Sequence, residues 1–124
     1  HSSWRAGAWS PVGNLASGEG WFVNWADFPS VVPLSPRTWA AHWLEQRPGN
    51  VYAYDVRIAL SDDAGATWSA PFSPHDDGTP TEHGFATLLP VGPTVLAIWL
   101  DGRRTEGGEA PGGPGATTEN TGRI

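Results

Sequence analysis

The sequence predicts an all-β protein. Glycine and proline are frequent, at 16 and 12 of 124 residues, which favours many turns and few long helices. Residues 51–60 are rich in β-branched and aromatic side chains and have the composition of a strand. The 8 tryptophans supply large apolar anchors, suited to a layered β core or to a sugar-binding surface.

The chain also repeats itself, with a period near 57 residues. Residues 28–34 (FPSVVPL) align with residues 85–91 (FATLLPV) at an offset of 57. Residues 38–47 then align with residues 94–103 at an offset of 56. The Trp-Ser-Pro that begins at Trp9 is echoed by Trp-Ser-Ala-Pro further along the chain. A period of this length suits one four-stranded blade of a β-propeller with a long loop.

The repeat divides the chain into parts of successive blades. The strands A to D of one blade are predicted at residues 27–34, 38–45, 51–60 and 67–72. Strands A and B recur at residues 83–91 and 94–100. The predicted divisions are the end of a preceding blade over 1–26, a complete blade over 27–82, the start of the next over 83–104, and a Gly/Pro-rich loop or tail over 105–124.

Local propensity gives a competing prediction for strand B. Residues 37–47 lie between Pro36 and Pro48, and Trp39 and Trp43 have the i, i+4 spacing of a helix face. The matching segment at residues 94–100 is too short and too β-branched for a helix. The repeat therefore favours a strand in both copies.

The composition excludes several functional classes. Lysine and arginine number 7 against 13 acids, a net charge of −6, so no basic stripe is available for nucleic acid. No apolar run approaches the ~20 residues of a membrane span. Cysteine is absent, which excludes disulfides and thiolate metal sites. Because methionine and a signal peptide are also absent, we expect a processed product or a piece of a longer chain, with both ends inside a blade.

Residues 61–68 (SDDAGATW) fit the pattern S-x-D-x-G-x-T-W. The Ser61 hydroxyl and the Asp63 carboxylate can accept hydrogen bonds from loop amides. Gly65 can supply a positive φ, and Trp68 can fold back as an apolar plug. The predicted structural residues of the turn are Ser61, Asp63, Gly65, Thr67 and Trp68.

This motif and its flanking strands resemble the Asp-box (BNR) repeat of the sialidase superfamily. The stretch from Phe85 to Thr105 is similar to the first catalytic blade of bacterial sialidases. The resemblance implies a six-bladed propeller, or a seven-bladed one, of which this chain holds about two blades. Three copies could close a six-bladed ring as a homo-oligomer. It also implies an exo-glycosidase that acts on a glycan or glycoconjugate and is secreted or periplasmic. We expect no cofactor and no metal.

The resemblance also sorts the candidate site residues. In such propellers the D-to-A and B-to-C loops share one face, and the Asp-box turns lie on the other. Those loops are residues 20–27, 75–83, 45–50 and 101–106. They supply the catalytic candidates Asp27, Asp101, Arg103 and Arg104, and the ligand-binding candidates Trp25, His75, Asp77, Glu82 and His83.

The family's catalytic set is only partly present. Sialidases bind the sugar carboxylate with three arginines, use an aspartate as acid/base, and use a tyrosine paired with glutamate as nucleophile. Pro29 and Ala86 occupy the position of the strand-A arginine. Glu106 and Glu109 are the nearest acids after Arg104, and the tyrosine would belong to a later blade. A non-catalytic propeller that binds a glycan or a protein is therefore the alternative.

Structural roles compete with the functional ones. The recurrence of Glu45/Arg47 as Asp101/Arg103 favours ion pairs that tie adjacent blades together. His42 is expected to be packed, and the 75–83 loop to be polar rather than metal-binding, because it lacks a tight ligand spacing. For Trp21 and Trp25, packing competes with stacking on a sugar. The tyrosines of strand C, Tyr52 and Tyr54, are expected to be buried on one face.

Overall fold

A computed structural model describes residues 1–104 of the chain. Within them the fold is all-β, with several small antiparallel sheets. The strands are β1 (Trp4–Arg5), β2 (Ala8–Trp9), β3 (Trp21–Phe22), β4 (Ser30–Pro33), β5 (Trp39–Gln46), β6 (Tyr54–Ser61), β7 (His83–Val91) and β8 (Thr94–Asp101). No helix in this part of the chain is long and apolar enough to cross a membrane.

The largest sheet is built around β5. On one side β5 pairs with all of β6, from Trp39↔Ser61 to Gln46↔Tyr54. Its other side is shared, because β4 pairs with the first half of β5 and β3 pairs with Leu44 and Glu45. A single antiparallel bridge joins Phe72 to Ile58 at the far edge of β6. The central strand is therefore paired along both edges, and its residues 40–44 are buried.

The hairpin formed by β7 and β8 has the strand register that the sequence repeat predicts. In the first repeat, Ser30 pairs with His42 and Val31 with Ala41. The aligned positions of the second repeat pair in the same way, Thr87 with Ile98 and Leu88 with Ala97. The sequence repeat is thus a repeat of backbone pairing as well.

A β-bulge interrupts β7. Between the pairs Gly84↔Leu100 and Thr87↔Ile98, two residues of β7 oppose one residue of β8. Phe85, the first of the two, has φ = 51°, a left-handed conformation that is uncommon for a residue with a bulky side chain. Its backbone N–H donates to Oδ1 of the buried Asp27 at 2.5 Å, so a residue of the first repeat satisfies the bulge of the second.

The core lies between the large sheet and the hairpin. Ala40, Leu44, Val56 and Ile58 on one face of the sheet form a buried cluster with Leu88 of β7. The ring of Tyr54 joins this cluster and stacks on Phe22 with centroids 4.0 Å apart. Burying apolar area between the two repeats is the main stabilising term, at roughly 25 cal/mol per Å².

The opposite face of the hairpin is apolar and exposed. We call it the outer face, and define it by Leu89, Leu96, Ile98 and Leu100, which are 43–63% exposed. Their repeat equivalents in the large sheet are Val32, Ala40, His42 and Leu44. Those residues face the hairpin, where Ala40, His42 and Leu44 are at most 4% exposed.

Some sequence expectations need correction. Residues 37–47 do not form the competing helix, because β5 extends from Trp39 to Gln46. Trp21 and Phe22, expected in a loop, form β3, and expected strand D is reduced to the bridge at Phe72. Tyr52 is 41% exposed, so only Tyr54 is buried. The predicted tail at 105–124, with Glu106 and Glu109, lies outside the described residues.

Candidate functional site

Ionisable side chains from three of the four predicted loops meet Asp55 of β6 at one end of the sheets. We call this group the rim cluster, and it consists of Arg47, Asp55, His75, Asp77, His83, Asp101 and Arg103. The cluster lies where β5 and β8 end and where β6 and β7 begin. Antiparallel pairing brings these strand ends together, as in the pair His83↔Asp101.

Two histidines form the buried centre of the cluster. The rings of His75 and His83 are stacked, with centroids 3.8 Å apart and an interplanar angle of 4°. Their side chains are 1% and 0% exposed. Nδ1 of His83 lies 3.2 Å from the carbonyl oxygen of Thr81 and 3.3 Å from that of Tyr54. Neither ring nitrogen of His75 has a hydrogen-bond partner among the described residues.

Asp77 is held by its own loop. Its Oδ1 accepts hydrogen bonds from the backbone N–H and the hydroxyl of Thr79. Its Oδ2 faces three nitrogens, with His83 Nε2 at 3.1 Å, His75 Nδ1 at 3.4 Å and Arg103 Nη2 at 3.7 Å. One carboxylate oxygen is thus fixed by the backbone, and the other is presented to the centre of the cluster.

Each of the two arginines pairs with a carboxylate. Nε of Arg47 donates to both oxygens of Asp55, at 3.0 and 2.9 Å, and its Nη1 donates to the Gly78 carbonyl oxygen. Arg103 makes a similar contact with Asp101 through Nε and Nη2. Of the two recurring acid–arginine pairs, Asp101 and Arg103 form an ion pair, which lies within the second repeat rather than between repeats. Glu45 does not pair with Arg47, however, and lies 3.1 Å from Nε of Arg57 instead.

These contacts shift the acid–base properties of the cluster. The hydrogen bond from Thr79 holds the pKa of Asp77 well below its usual range, and the hydrogen bond from Arg103 lowers the pKa of Asp101. Burial, followed by the neighbouring His83, lowers the pKa of His75. The hydrogen bond to Asp55 raises the pKa of Arg47. The cluster therefore favours ionised carboxylates beside a neutral His75.

The Asp-box turn lies at the other end of β6. Ser61 ends this strand and Asp55 is near its start, so about 20 Å separates the turn from the rim cluster. Within the turn, the Ser61 hydroxyl accepts from the Gly65 N–H at 2.9 Å, and Asp63 accepts from the N–H and hydroxyl of Thr67 at 2.8 and 2.6 Å. Gly65 has φ = 84°, and Trp68 Nε1 donates to its carbonyl oxygen.

The other candidate residues lie apart from the cluster. Asp27 is 3% exposed and serves the bulge at Phe85, and its loop partner Asn24 donates to its Oδ2 at 3.2 Å. Trp25 is 93% exposed. Glu82 forms a bridge with Tyr54. Burial, followed by the charge of Glu82, raises the pKa of the Tyr54 phenol well above its ordinary value. Arg104 is exposed.

Asp55 is a site residue that the sequence does not predict. It falls in predicted strand C, outside the four loops that supply the candidates. A signal was available, because Asp55 lies directly opposite Glu45 in the β5–β6 pairing. Two acids at facing positions repel each other unless each has a cation. Arg47 and Arg57 supply those cations.

Comparison with protein-family models, with curated proteins and with solved structures found no match to this chain.

Proposed function

We propose that the chain is part of a sialidase-like Asp-box β-propeller that binds and processes glycans, with the rim cluster contributing to the sugar site. The observation that carries this proposal is the position of the cluster. Loops from both repeats bring it together at the end of the sheets opposite the Asp box. That is the arrangement expected of a propeller, whose ligand face lies opposite its Asp-box turns.

The packing of the two repeats supports the propeller. The hairpin of the second repeat covers one face of the first repeat's sheet, as neighbouring blades do. The outer face presents the equivalent positions of the second repeat, and Leu89, Leu96, Ile98 and Leu100 are exposed there. A further repeat of the same kind would cover this face in the same way, which matches a ring of stacked blades.

The chemistry of the cluster suits an acidic or polyhydroxylated sugar. A guanidinium presents a fork of N–H donors that matches a carboxylate, and hydroxyl groups bond well to carboxylates. The Arg103 side chain is 43% exposed and that of Asp101 is 28% exposed, so both can be reached by a ligand. In hydrolysis, Asp101 would serve as a base or an electrostatic group, since its lowered pKa keeps it ionised.

A second candidate function is glycan binding without hydrolysis. A glycosidase needs a carboxylic acid that holds its proton near neutral pH. The pKa values of Asp77 and Asp101 are lowered instead, and Asp55 is paired with Arg47. Asp77 and Asp101 are therefore suited to act as ionised carboxylates rather than as proton donors, which favours recognition over cleavage.

Assays on one set of variants separate the two functions. The purified protein would be tested for cleavage of a panel of fluorogenic glycosides, sialosides included, and for binding to an array of glycans. Arg103→Ala is expected to weaken both signals, whereas Arg37→Ala, an exposed arginine at the Asp-box end, should leave them unchanged. Glycan binding without glycoside cleavage would favour the second candidate function. Absence of both binding and cleavage would contradict the proposal that the chain recognises glycans.

The ring itself is tested by the native mass. Three copies of a two-blade unit are expected to give a trimer in light scattering on a sizing column. Ile98→Asp, in the middle of the outer face, should convert that trimer to a monomer, while Val12→Asp, exposed elsewhere, should not. A wild-type monomer would contradict ring closure by copies of this chain.

A further inference from the structure

The hydrogen-bonding pattern of His83 leaves room for a cation beside its Nε2. Both neighbours of Nδ1, the carbonyl oxygens of Thr81 and Tyr54, can only accept, so Nδ1 is placed to donate to them. In a neutral ring, Nε2 is then an acceptor. It nevertheless faces two carboxylate oxygens, Asp77 Oδ2 at 3.1 Å and Asp101 Oδ1 at 3.7 Å, which are acceptors as well. Either a second proton or a metal ion must lie between them.

We propose that Asp77, His83 and Asp101 form a binding site for a divalent transition-metal ion. The three ligand atoms lie within 4.8 Å of one another. Metal–ligand bonds of about 2.1 Å at tetrahedral angles place ligand atoms roughly 3.4 Å apart, close to the spacings found here. A metal-binding histidine commonly donates its other N–H to a backbone carbonyl, which fixes the tautomer, and Nδ1 of His83 is placed to do so. This proposal departs from the sequence expectation of no metal.

The neighbouring His75 is a second and independent indication of a ligand. Its side chain is 99% buried, yet neither of its ring nitrogens has a hydrogen-bond partner within residues 1–104. Leaving a buried polar atom unpaired is destabilising. His75 Nδ1 points into the same space, 3.4 Å from Asp77 Oδ2. Imidazole binds an ion in the plane of its ring. Because the two rings are parallel and 3.8 Å apart, an ion in the plane of His83 lies outside the plane of His75. His75 would therefore not be a ligand, and would form a hydrogen bond to a water or substrate oxygen at the site.

Arg103 occupies part of the space that the ion would take. Its Nη2 lies 2.5 Å from Asp101 and 3.7 Å from Asp77, so the guanidinium neutralises two of the three ligands. The side chain is 43% exposed and can turn outward without leaving a hole in the core. Metal and Arg103 therefore compete for the same carboxylates, and removing the arginine should strengthen metal binding.

The ligand set selects the kind of ion. Calcium and magnesium prefer sites made of oxygen ligands alone, whereas zinc and manganese accept a mixture of imidazole and carboxylate. The set also leaves a coordination position open, as in catalytic rather than structural zinc sites. We therefore expect Zn²⁺ or Mn²⁺ to bind and Ca²⁺ to bind far more weakly.

Calorimetric titration of chelator-treated protein with Zn²⁺, Mn²⁺ and Ca²⁺ tests the proposal. One equivalent of Zn²⁺ or Mn²⁺ is expected to bind and to raise the melting temperature. Asp101→Asn should weaken binding by at least about tenfold. The matched control is Asp76→Asn, an exposed acid of the same loop outside the ligand set, which should bind as the wild type does.

Arg103→Ala provides a second test of the metal site, which does not depend on whether Asp101→Asn folds. If the site is a metal site, this variant binds Zn²⁺ more tightly than the wild type, because the competing cation is gone. NMR shifts of the His83 ring should then show a proton on Nδ1 alone. The proposal would be overturned if neither the wild type nor Arg103→Ala bound Zn²⁺ or Mn²⁺. It would also be overturned if the His83 ring carried a proton on both nitrogens in the presence of the metal. No sugar is present in these experiments, so their outcome is independent of the glycan assays.

Discussion

The two repeats share their backbone pairing but differ in their surroundings. The hairpin of β4 and β5 and the hairpin of β7 and β8 have matching registers, as Val31↔Ala41 and Leu88↔Ala97 show. Yet β5 is buried, whereas β8 alternates between half-buried and exposed residues. Strand pairing is thus encoded within each repeat, and burial depends on which neighbour covers the repeat. Equivalent residues can therefore be used as matched pairs in experiments.

The largest expected effect is at the equivalent leucines of the two repeats. Leu44 is 4% exposed and Leu100 is 63% exposed. Leu44→Ala should lower the free energy of unfolding by about 2–5 kcal/mol, because it opens a cavity in the core. In a single chain, where the outer face is uncovered, Leu100→Ala should change it by no more than about 0.5 kcal/mol, whereas in the trimer expected above the loss should approach that at Leu44. Urea denaturation measures both. A large loss at Leu100 would show that the outer face is covered in solution.

The next effect is expected at the contact that joins the repeats. Asp27→Ala leaves the Phe85 N–H at the bulge without its acceptor. A buried donor left unpaired costs about 1–3 kcal/mol. The control is Asp62→Ala, an exposed aspartate of the Asp-box turn, which should be close to neutral. Equal losses of unfolding free energy for the two variants would contradict a specific role for Asp27.

A smaller effect is expected at the equivalent arginines. Arg47 binds Asp55 and also the Gly78 carbonyl, and its side chain is 30% exposed. Arg103 is 43% exposed and binds mainly its near neighbour Asp101. Arg47→Ala should cost up to about 1 kcal/mol in unfolding free energy, since partly exposed ion pairs are screened by water. Arg103→Ala should cost less, and the reverse order would contradict the comparison.

The smallest effect is a loss of stability at low pH, which should be confined to the Asp-box turn of the first repeat. Hydrogen bonds from Thr67, followed by that from Ser61, lower the pKa of Asp63 to about 2. A group with a lowered folded-state pKa stabilises the fold above its unfolded pKa of about 3.9, and this contribution is lost as pH falls toward about 2. Over that window, amide exchange should quicken in the Asp-box turn before it does in β8. Asp63→Asn should remove this pH dependence, and Asp62→Asn should keep it.

Much of the strand layout follows from the sequence, because the repeat carries information that local propensity lacks. Trp39 and Trp43 have helical spacing, but the β-branched copy at residues 94–100 assigns the segment correctly to a strand. The failures lie where the repeats differ. Trp21 and Phe22 pair with β5, whereas residues 78–79, which align with them at the offset of 57, lie in no strand, so the alignment could not reveal β3.

The candidate site was predictable only in part. His75, Asp77, His83, Asp101 and Arg103 lie in loops rich in acids and histidines, and the structure brings them together. The stacking of His75 on His83 depends on how one repeat packs against the other, and Asp55 joins the cluster through its contacts with Arg47 and His75 within the first repeat. Such contacts are long-range, and no spacing within the sequence encodes them. The hydrogen bond between Asp27 and the Phe85 N–H at the bulge is also a long-range contact of this kind.

The bulge at Phe85 acts as a phase shift in the side-chain alternation of β7. In a regular strand, odd and even residues point to opposite faces, so His83 would share the direction of Thr87 and Leu89. The extra residue reverses this order, and His83 pairs with Asp101 and is fully buried. A single inserted residue thus lets one strand supply packing at one end and chemistry at the other. Deleting Phe85 would restore the regular alternation and turn the imidazole away from Asp77 while the hairpin stays paired.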